Sequence, residues 1–200
     1  MSDTEQNGVA NPARQGSDNV SPWVRRFAPL IPNGEVLDLA CGNGRHARHL
    51  TGLGHAVVAV DRDHDALALA AGPGIVTSDI DLEADGAQWP FGAQRFAGIV
   101  VTNYLHRPLL VSMLGSLAPN GMLIYETFAD GNAAFGKPTN PDFLLKEGEL
   151  LELARAQGLR VIAFEAGIVN EPGKQAMVQR ICAVQAEFPR EAALLDCTEG

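Results

Sequence analysis

Short apolar runs alternate with segments of helical periodicity through most of this chain, and the alternation predicts its fold. Seven runs are typical of strands: residues 36–39, 55–61, 75–79, 96–103, 122–128, 160–166 and 176–186. The intervening periodicity and capping residues predict helices at 22–27, 45–52, 66–71, 104–117 and 146–157. Strands that alternate with helices in this way are typical of an α/β protein with a parallel sheet between helical layers.

The last two predicted strands depart from this alternation. Only a turn at 170–174 separates them, which is too short for a helical crossover, so they are expected to pair antiparallel. The other strands are expected to be parallel, and sheets of this kind bind ligands at the carboxyl ends of their strands. Functional residues are therefore expected at those ends.

A glycine-rich turn follows the first strand. The stretch from Val36 to Arg45 reads V-L-D-L-A-C-G-N-G-R, an apolar run that ends in glycines and continues into a helix. Gly42 and Gly44 let the backbone approach a ligand without a Cβ in the way. The N–H groups at the start of the next helix point to the same place. The turn is therefore predicted to hold a cofactor.

The distribution of polar residues sets the limits of the domain. Residues 1–20 are polar and aperiodic, so we expect a disordered leader there. One domain is expected over 21–188, followed by a peripheral tail at 189–200. Within the domain, Gly, Pro and Asn are dense at 129–142, and a loop of this length is typical of a lid beside an active site.

Composition narrows the classes of partner. The net charge of -9 argues against a broad nucleic-acid surface. Cys41, Cys182 and Cys197 form no C-x-x-C pair, which favours a reduced, cytoplasmic setting. No run approaches the roughly 20 apolar residues of a membrane span. We expect a cytoplasmic monomer or weak homodimer that binds small molecules, with neither nucleic acid nor membrane as a partner.

Two classes of cofactor fit the glycine turn. Gly42-x-Gly44-x-x-Ala47 satisfies the dinucleotide pattern, and Asp61 follows nineteen residues after Gly42, where an acid would hold a ribose. Asp38 distinguishes the two classes, because a carboxylate beside the turn repels a pyrophosphate but attracts the ammonium and sulfonium of S-adenosylmethionine. The antiparallel strand pair also argues against a dinucleotide domain, whose sheet is fully parallel.

Several stretches carry a family resemblance: V-L-D-L-A-C-G-N-G-R, V-V-A-V-D, D-I-D-L-E with W-P-F, A-G-I-V-V-T-N-Y-L and L-A-P-N-G-M-L-I-Y-E. Together they resemble class I S-adenosylmethionine-dependent methyltransferases over about residues 34–185. The resemblance implies a three-layer Rossmann-like fold whose seven-stranded, mostly parallel sheet has the order 3-2-1-4-5-7-6, with strand 7 antiparallel. F-L-L-K-E-G-E-L-L-E-L at 143–153 is similar to the tellurite-resistance (tehB-like) branch.

The same resemblance implies a set of residues that bind the cofactor. They are Asp38, Ala40, Gly42 and Gly44 for its methionine part, Asp61 for both ribose hydroxyls, Arg62 beside the adenine, Asp79 and Ile80 at the adenine edge, and Asn103 for a backbone contact to the methionine part. Ala40 stands where many members of the family have glycine, which is expected to tighten the turn without abolishing binding.

Catalysis of methyl transfer needs few residues, because the protein mainly aligns a nucleophile with the sulfonium methyl. His106 follows the fourth strand, and its ordinary pKa of about 6.5 suits a general base, with a capping or solvated histidine as an equal alternative. Tyr104 and Tyr125 share this rim and are the other catalytic candidates. No metal is expected, since the pair His46 and His49 has no third ligand at suitable spacing.

The sequence therefore predicts a methyltransferase that acts on a small molecule or a metalloid-like acceptor. Two alternatives stay open, an NAD(P)-dependent oxidoreductase and a non-catalytic, regulatory cofactor-binding protein. An RNA methyltransferase would need a basic face beside the cleft, and the residues that would form it are Arg25, Arg26, Arg107 and Lys137.

Overall fold

A computed structural model describes residues 19–171, 174–193 and 195 of the chain. Its strands are β1 Glu35–Leu39, β2 Ala56–Asp61, β3 Ile75–Asp79, β4 Phe96–Thr102, β5 Leu117–Phe128, β6 Arg160–Glu171 and β7 Lys174–Val184. Its α-helices are α1 Pro22–Phe27, α2 Arg45–Gly52, α3 His64–Ala70, α4 Leu110–Gly115 and α5 Glu149–Ala156. Short 3-10 helices lie at Ala28–Leu30, Arg107–Leu109, Asn132–Ala134, Pro141–Phe143 and Arg190–Ala192.

The strands form one sheet in the order β3-β2-β1-β4-β5-β7-β6. Strands β1 to β5 are parallel to one another, and β7 runs antiparallel to both β5 and β6. The fold class, the strand order and the antiparallel strand 7 that the sequence predicts are thereby confirmed. Most of the predicted leader, the middle of the 170–174 turn, Cys197 and much of the tail lie outside the described residues.

The sheet separates two apolar cores because side chains of a strand alternate between its faces. In β1, Leu37 and Leu39 join one core and Val36 joins the other. Helices α4 and α5 cover the first core, and α1, α2 and α3 cover the second. The central strands are buried on both faces, as expected of parallel strands between helical layers.

Helix α1 packs tightly against the second core. Ser21 caps it, its Oγ accepting the backbone N–H of Trp23 at 3.1 Å, and Pro22 occupies the first turn. Trp23 and Phe27 are buried with an edge-to-face ring contact at 4.6 Å, and the indole N–H of Trp23 donates to the carbonyl of Ile181. These two aromatic side chains therefore belong to the core and do not reach over the cleft.

Two predicted helices are shorter than expected. The helix predicted at 104–117 is replaced by an irregular segment and a 3-10 turn, and α4 begins only at Leu110. Pro108 explains the difference, because it lacks an N–H and disfavours helical geometry at the residue before it. Helix α5 begins at Glu149, three residues later than predicted, since Gly148 adopts a left-handed φ of 70° at its N-cap.

The connections around β4 and β5 are irregular. Strand β5 continues through residues 118–121, where Pro119 and Gly121 are typical of a turn, and its register against β4 is irregular between Phe96 and Gly98. The connection from β3 to β4, residues 80–95, contains no helix, and all of its residues are described. Trp89 and Phe91 of this connection pack on the first core in place of a helix.

Candidate functional site

Two adjoining cavities lie at the carboxyl ends of β1 to β4. The strand-end cavity, of about 110 Å³, has walls that include Leu39, Asp61, Arg62, Ile80, Glu83 and Tyr104. The glycine-turn cavity, of about 520 Å³, is lined by residues that include Gly42, Asn43, Arg45, Asp63, Thr102 and Asn103. Ala40 lines both cavities, which therefore adjoin at this residue. This edge of the sheet is where parallel α/β folds bind ligands.

The turn between the cavities is built from left-handed backbone. Ala40, Gly42 and Gly44 have φ values of 54°, 53° and 76°. A Cβ on Gly42 would meet nothing within 4 Å, so the backbone there faces open space. A Cβ on Gly44 would lie 2.6 Å from the Cβ of Ala70, so this glycine lets α2 approach α3. The first glycine therefore makes room for a ligand and the second makes room for a helix.

Asp38 is a buried carboxylate next to this turn. It is 1% exposed and lines neither cavity, and neither of its oxygens has a hydrogen-bond partner. Burial raises the pKa of Asp38 to about 7, against the opposing effects of the Ala47 backbone and Arg45. A buried carboxyl without a partner is costly, and a nearby cation would stabilise its ionised form.

Asp61 at the end of β2 organises the turn. Its Oδ2 accepts the backbone N–H of Gly42 at 2.7 Å, and its Oδ1 accepts the backbone N–H of Asp63 at 2.9 Å. Each carboxylate oxygen has a second lone pair, so both can still accept a hydroxyl. The half-buried Asp61 therefore fixes the glycine turn and keeps acceptor capacity toward the strand-end cavity.

The acids after β3 divide between two environments. Asp79 faces away from both cavities and lies 3.2 Å from Nδ1 of His64. Ile80 and Asp81 line the strand-end cavity instead. The adenine contact that the sequence predicts for Asp79 stays a prediction, and β3 ends at this residue, before the two that line the cavity. Asp81 was not among the predicted site residues.

Arg62 and Asn103 lie where the sequence predicts them, at the cavities. Arg62 is paired with Glu83 at 3.2 Å and with Asp81 at 3.9 Å. Asn103 has a left-handed φ of 55°, and its N–H donates to the carbonyl of Glu126 at 2.9 Å. Strained φ values of this kind are typical of functional turns.

Tyr125 is wrongly predicted as a catalytic residue. Its side chain is 1% exposed within the first core, and its hydroxyl donates to the carbonyl of Tyr104 at 2.9 Å. It cannot contact an acceptor and instead fixes the segment that follows β4. Burial, and then the Glu83 carboxylate, raise the pKa of Tyr104, so this phenol stays protonated at neutral pH.

His106 is separated from the two cavities. It is half-buried and lines a neighbouring space with Trp89, Leu109 and Ser112. It is a wall residue of neither the strand-end cavity nor the glycine-turn cavity. The structure therefore places Tyr104 in the wall of the strand-end cavity and His106 in the wall of the neighbouring space.

His46, the buried histidine of α2, lies within contact of Ser21 and Thr102. Nε2 of His46 accepts the backbone N–H of Ser21 at 3.2 Å, so the ring proton is on Nδ1, 3.4 Å from Oγ1 of Thr102. Burial and then the charge of Arg45 lower the pKa of His46 to about 3, which keeps the ring neutral. Within the described part of the chain, no group of His, Cys, Asp and Glu is arranged to hold a metal ion.

Two of the four cations that would form a basic face beside the cleft are paired with acids. Arg107 donates to both carboxylate oxygens of Glu149, at 2.7 and 2.9 Å, and to the carbonyls of Asp142 and Leu144. Arg26 lies 3.7 Å from Glu165.

The loop at 129–142 leaves the carboxyl end of β5, at the same edge of the sheet as the cavities. Its ends are joined, because the N–H of Asp130 donates to the carbonyl of Leu145 and the N–H of Leu145 donates to that of Phe128. Buried Asn132 holds the interior by bonds to the carbonyl of Pro138 and the N–H of Met177. The loop contributes no residue to the walls of the two cavities.

Comparisons with known proteins agree with this architecture. Residues 36–121 match a family model described as a methyltransferase domain. Curated protein sequences contain no match to this chain. Among solved structures, TehB from Haemophilus influenzae is similar with a TM-score of 0.66 and 20% identity, covering 83% of this chain and 62% of that one.

Two further structures extend the comparison. An S-adenosylmethionine-dependent methyltransferase from Mesorhizobium loti has a TM-score of 0.65 and 17% identity, over 82% of this chain and 96% of its own. The 1,6-didemethyltoxoflavin-N1-methyltransferase of Burkholderia thailandensis, with 1,6-didemethyltoxoflavin and S-adenosylhomocysteine bound, has a TM-score of 0.60 and 22% identity, over 82% of this chain and 76% of its own. These likenesses establish the class I methyltransferase fold. The chain spans less than two thirds of the length of TehB.

Proposed function

We propose that this chain is an S-adenosylmethionine-dependent methyltransferase, which transfers a methyl group from that cofactor to a small-molecule acceptor. The observation that carries the proposal is Asp38, whose buried carboxylate lacks a hydrogen-bond partner beside the glycine turn. A cationic cofactor in the glycine-turn cavity would stabilise this charge, whereas a pyrophosphate would be repelled by it. The charge of Asp38 therefore favours S-adenosylmethionine over a dinucleotide as the cofactor.

The residues around the cavities fit each part of this cofactor. Asp61 keeps lone pairs for two ribose hydroxyls, and apolar Leu39 and Ile80 give flat walls for an adenine. Asp81 lines the same cavity and takes over the adenine amino contact that the sequence assigned to Asp79. The open backbone at Gly42 leaves space for the methionine part. We infer that adenosine occupies the strand-end cavity and methionine the glycine-turn cavity.

The cofactor supplies an electrophilic methyl group, and the protein's residues act by binding and orientation. Asn103 and Ala40, both in left-handed backbone, border the space in which the methyl group would meet its acceptor. Tyr104 stays protonated and so can donate a hydrogen bond but cannot act as a base. The acceptor is therefore expected to be a nucleophile that needs no general base. An acceptor that must lose a proton would instead require His106 to move toward it and receive that proton.

The proposed acceptor is a small molecule, either a heterocycle or an oxyanion of a metalloid. The heterocycle is suggested by the 1,6-didemethyltoxoflavin bound to the Burkholderia enzyme, and the metalloid by the resemblance to the tehB-like branch. Buried Cys41 and Cys182 are free thiols, in keeping with a reducing, cytoplasmic setting. No helix in the described part of the chain combines the length and apolarity that a membrane crossing requires.

One experiment tests the proposed function. Calorimetric titrations with S-adenosylmethionine and with NAD(H) compare the cofactors, and release of S-adenosylhomocysteine is then followed across an acceptor panel that includes tellurite and small heterocycles. Binding of S-adenosylmethionine without NAD(H), with product release for one acceptor, is expected. Binding of NAD(H) alone would favour the oxidoreductase, and cofactor binding without any turnover would favour the regulatory protein.

Cofactor affinity is expected to depend on pH through Asp38. Its pKa is raised to about 7, and a bound cation favours the ionised form, so binding below pH 7 must release a proton. The association constant for S-adenosylmethionine should therefore rise up to about tenfold per unit between about pH 5 and pH 7 and level off above it. Calorimetry in buffers of different ionisation enthalpy counts the released protons.

Asp38→Asn provides the control for this pH dependence. The variant should bind with little pH dependence over the same range and should approach the wild-type affinity at the acid end. The cofactor's own amino group titrates near pH 8 and affects both proteins equally. A wild-type affinity that is flat from pH 5 to 7 would contradict a role for Asp38 in binding the cation.

A further inference from the structure

The strand-end cavity is narrow for the adenosine part of the cofactor that is assigned to it. Its volume is about 110 Å³, whereas pockets for small ligands and cofactors have volumes of roughly 300–1,000 Å³. Much of its wall cannot move, because Leu39, Val60 and Leu82 are buried in the first core. Any enlargement must therefore come from the polar side chains at its rim.

Those side chains connect the three loops that surround the cavity. Arg62 follows β2, Glu83 lies in the connection after β3, and Tyr104 follows β4. Nη1 of Arg62 lies 3.2 Å from Oε2 of Glu83, and the hydroxyl of Tyr104 interacts with the same carboxylate. All three residues line the cavity, so the Arg62–Glu83 pair lies in its wall.

We propose that Arg62, Glu83 and Tyr104 form a side-chain clasp across the strand-end cavity, which must open before the adenosine part of the cofactor can enter. This inference rests on the proposed function, since it assigns adenosine to this cavity. Glu83 is the centre of the clasp, because both other members contact its carboxylate.

The clasp is built to open at little cost. The side chain of Arg62 is 60% exposed and that of Glu83 is 28% exposed, so water and salt compete with their contact. Exposed ion pairs are weak, which corresponds to a closed population only about two- to fivefold larger than the open one. Since adenosine enters only the open form, the observed association rate is reduced by about the same factor.

The clasp should make the association rate of a ligand depend on the salt concentration. S-adenosylhomocysteine is a suitable probe, because its ammonium and carboxylate cancel and no net charge is left to steer it. Raising NaCl from about 0.01 M to about 1 M shortens the Debye length from about 30 Å to about 3 Å. This screening weakens the Arg62–Glu83 pair, so the association rate of the wild-type protein should rise about twofold or more.

Variants of the clasp test the assignment by stopped-flow tryptophan fluorescence with S-adenosylhomocysteine. Glu83→Gln should associate about two- to fivefold faster than the wild type at low salt and should lose most of the salt dependence. Tyr104→Phe keeps the ring and removes the hydroxyl, so its rate should fall between the two. Asp85→Asn is the matched control, since it makes the same change of charge two residues away, at an exposed acid.

Each outcome decides the proposal. Equal rates for the wild type and Glu83→Gln, or equal acceleration by Asp85→Asn, would overturn the clasp while leaving cofactor binding intact. Failure of the wild-type protein to bind S-adenosylhomocysteine would instead overturn the proposed function, and the clasp with it.

Discussion

Gly44→Ala is expected to lower the free energy of unfolding by about 2–5 kcal/mol, which is a large part of the stability of a typical domain. The left-handed φ of 76° at Gly44 disfavours any Cβ. The new methyl group would also lie 2.6 Å from the Cβ and 2.7 Å from the Cα of Ala70. Because a backbone atom of α3 cannot rotate away, the two helices must separate. Urea denaturation followed by circular dichroism measures the change.

Gly158→Ala is the matched control for backbone strain. Gly158 has a φ of 68°, and a Cβ there would meet nothing within 4 Å. This variant should lose only the conformational term of about 1–2 kcal/mol. A Gly44→Ala protein as stable as Gly158→Ala would contradict the close approach of α2 and α3.

Asp61→Ala is expected to weaken S-adenosylmethionine binding by at least about a hundredfold. The change removes the acceptor for two ribose hydroxyls, and the backbone N–H groups of Gly42 and Asp63 lose their bonds at the same time. Hydrogen bonds to a charged group contribute about 1.5–3 kcal/mol each, so two lost ligand contacts account for the effect. Calorimetry gives the affinity, and thermal denaturation should show that the variant remains folded.

Variants of two other acids, Asp79 and Asp81, provide a comparison for Asp61→Ala. Asp79→Ala should leave the affinity within about twofold, because Asp79 faces His64 outside both cavities, whereas Asp81→Ala should lower it. If Asp79→Ala lowered the affinity and Asp81→Ala did not, the adenine contact would belong to Asp79, as the sequence predicts. An unchanged affinity in Asp61→Ala would contradict the placement of adenosine in the strand-end cavity.

The strands and the antiparallel pairing of β6 with β7 could be predicted because their signals are local, whereas the strand order was implied by the family resemblance. Apolar runs mark the parallel strands, and the short turn after β6 fixes the direction of β7. Pro108 and Gly148 carried local signals too, and they explain why α4 and α5 begin later than the periodicity indicates. Alternation along β5 likewise places Tyr125 on the same face as buried Leu123, which would have excluded it as a catalytic residue.

The details of the site depend on contacts between distant parts of the chain. Glu83 is one of several acids in a polar segment, and only the fold brings it to Arg62 across twenty-one positions. The direction of Asp79 depends on where β3 ends relative to the next turn. The neutral state of His46 requires the combined burial by α1, α2 and β4, which no spacing in the sequence reveals. These features could not be predicted without coordinates.

The pinned ends of the 129–142 loop make it an exchangeable part of the chain. Hydrogen bonds between Asp130, Leu145 and Phe128 close its base, so a change in its length alters little of the rest of the chain. None of its residues belongs to the walls of the two cavities. Insertions, deletions or grafts between the two pinned ends are therefore expected to change the surroundings of the proposed acceptor. The residues that line the two cavities would stay the same.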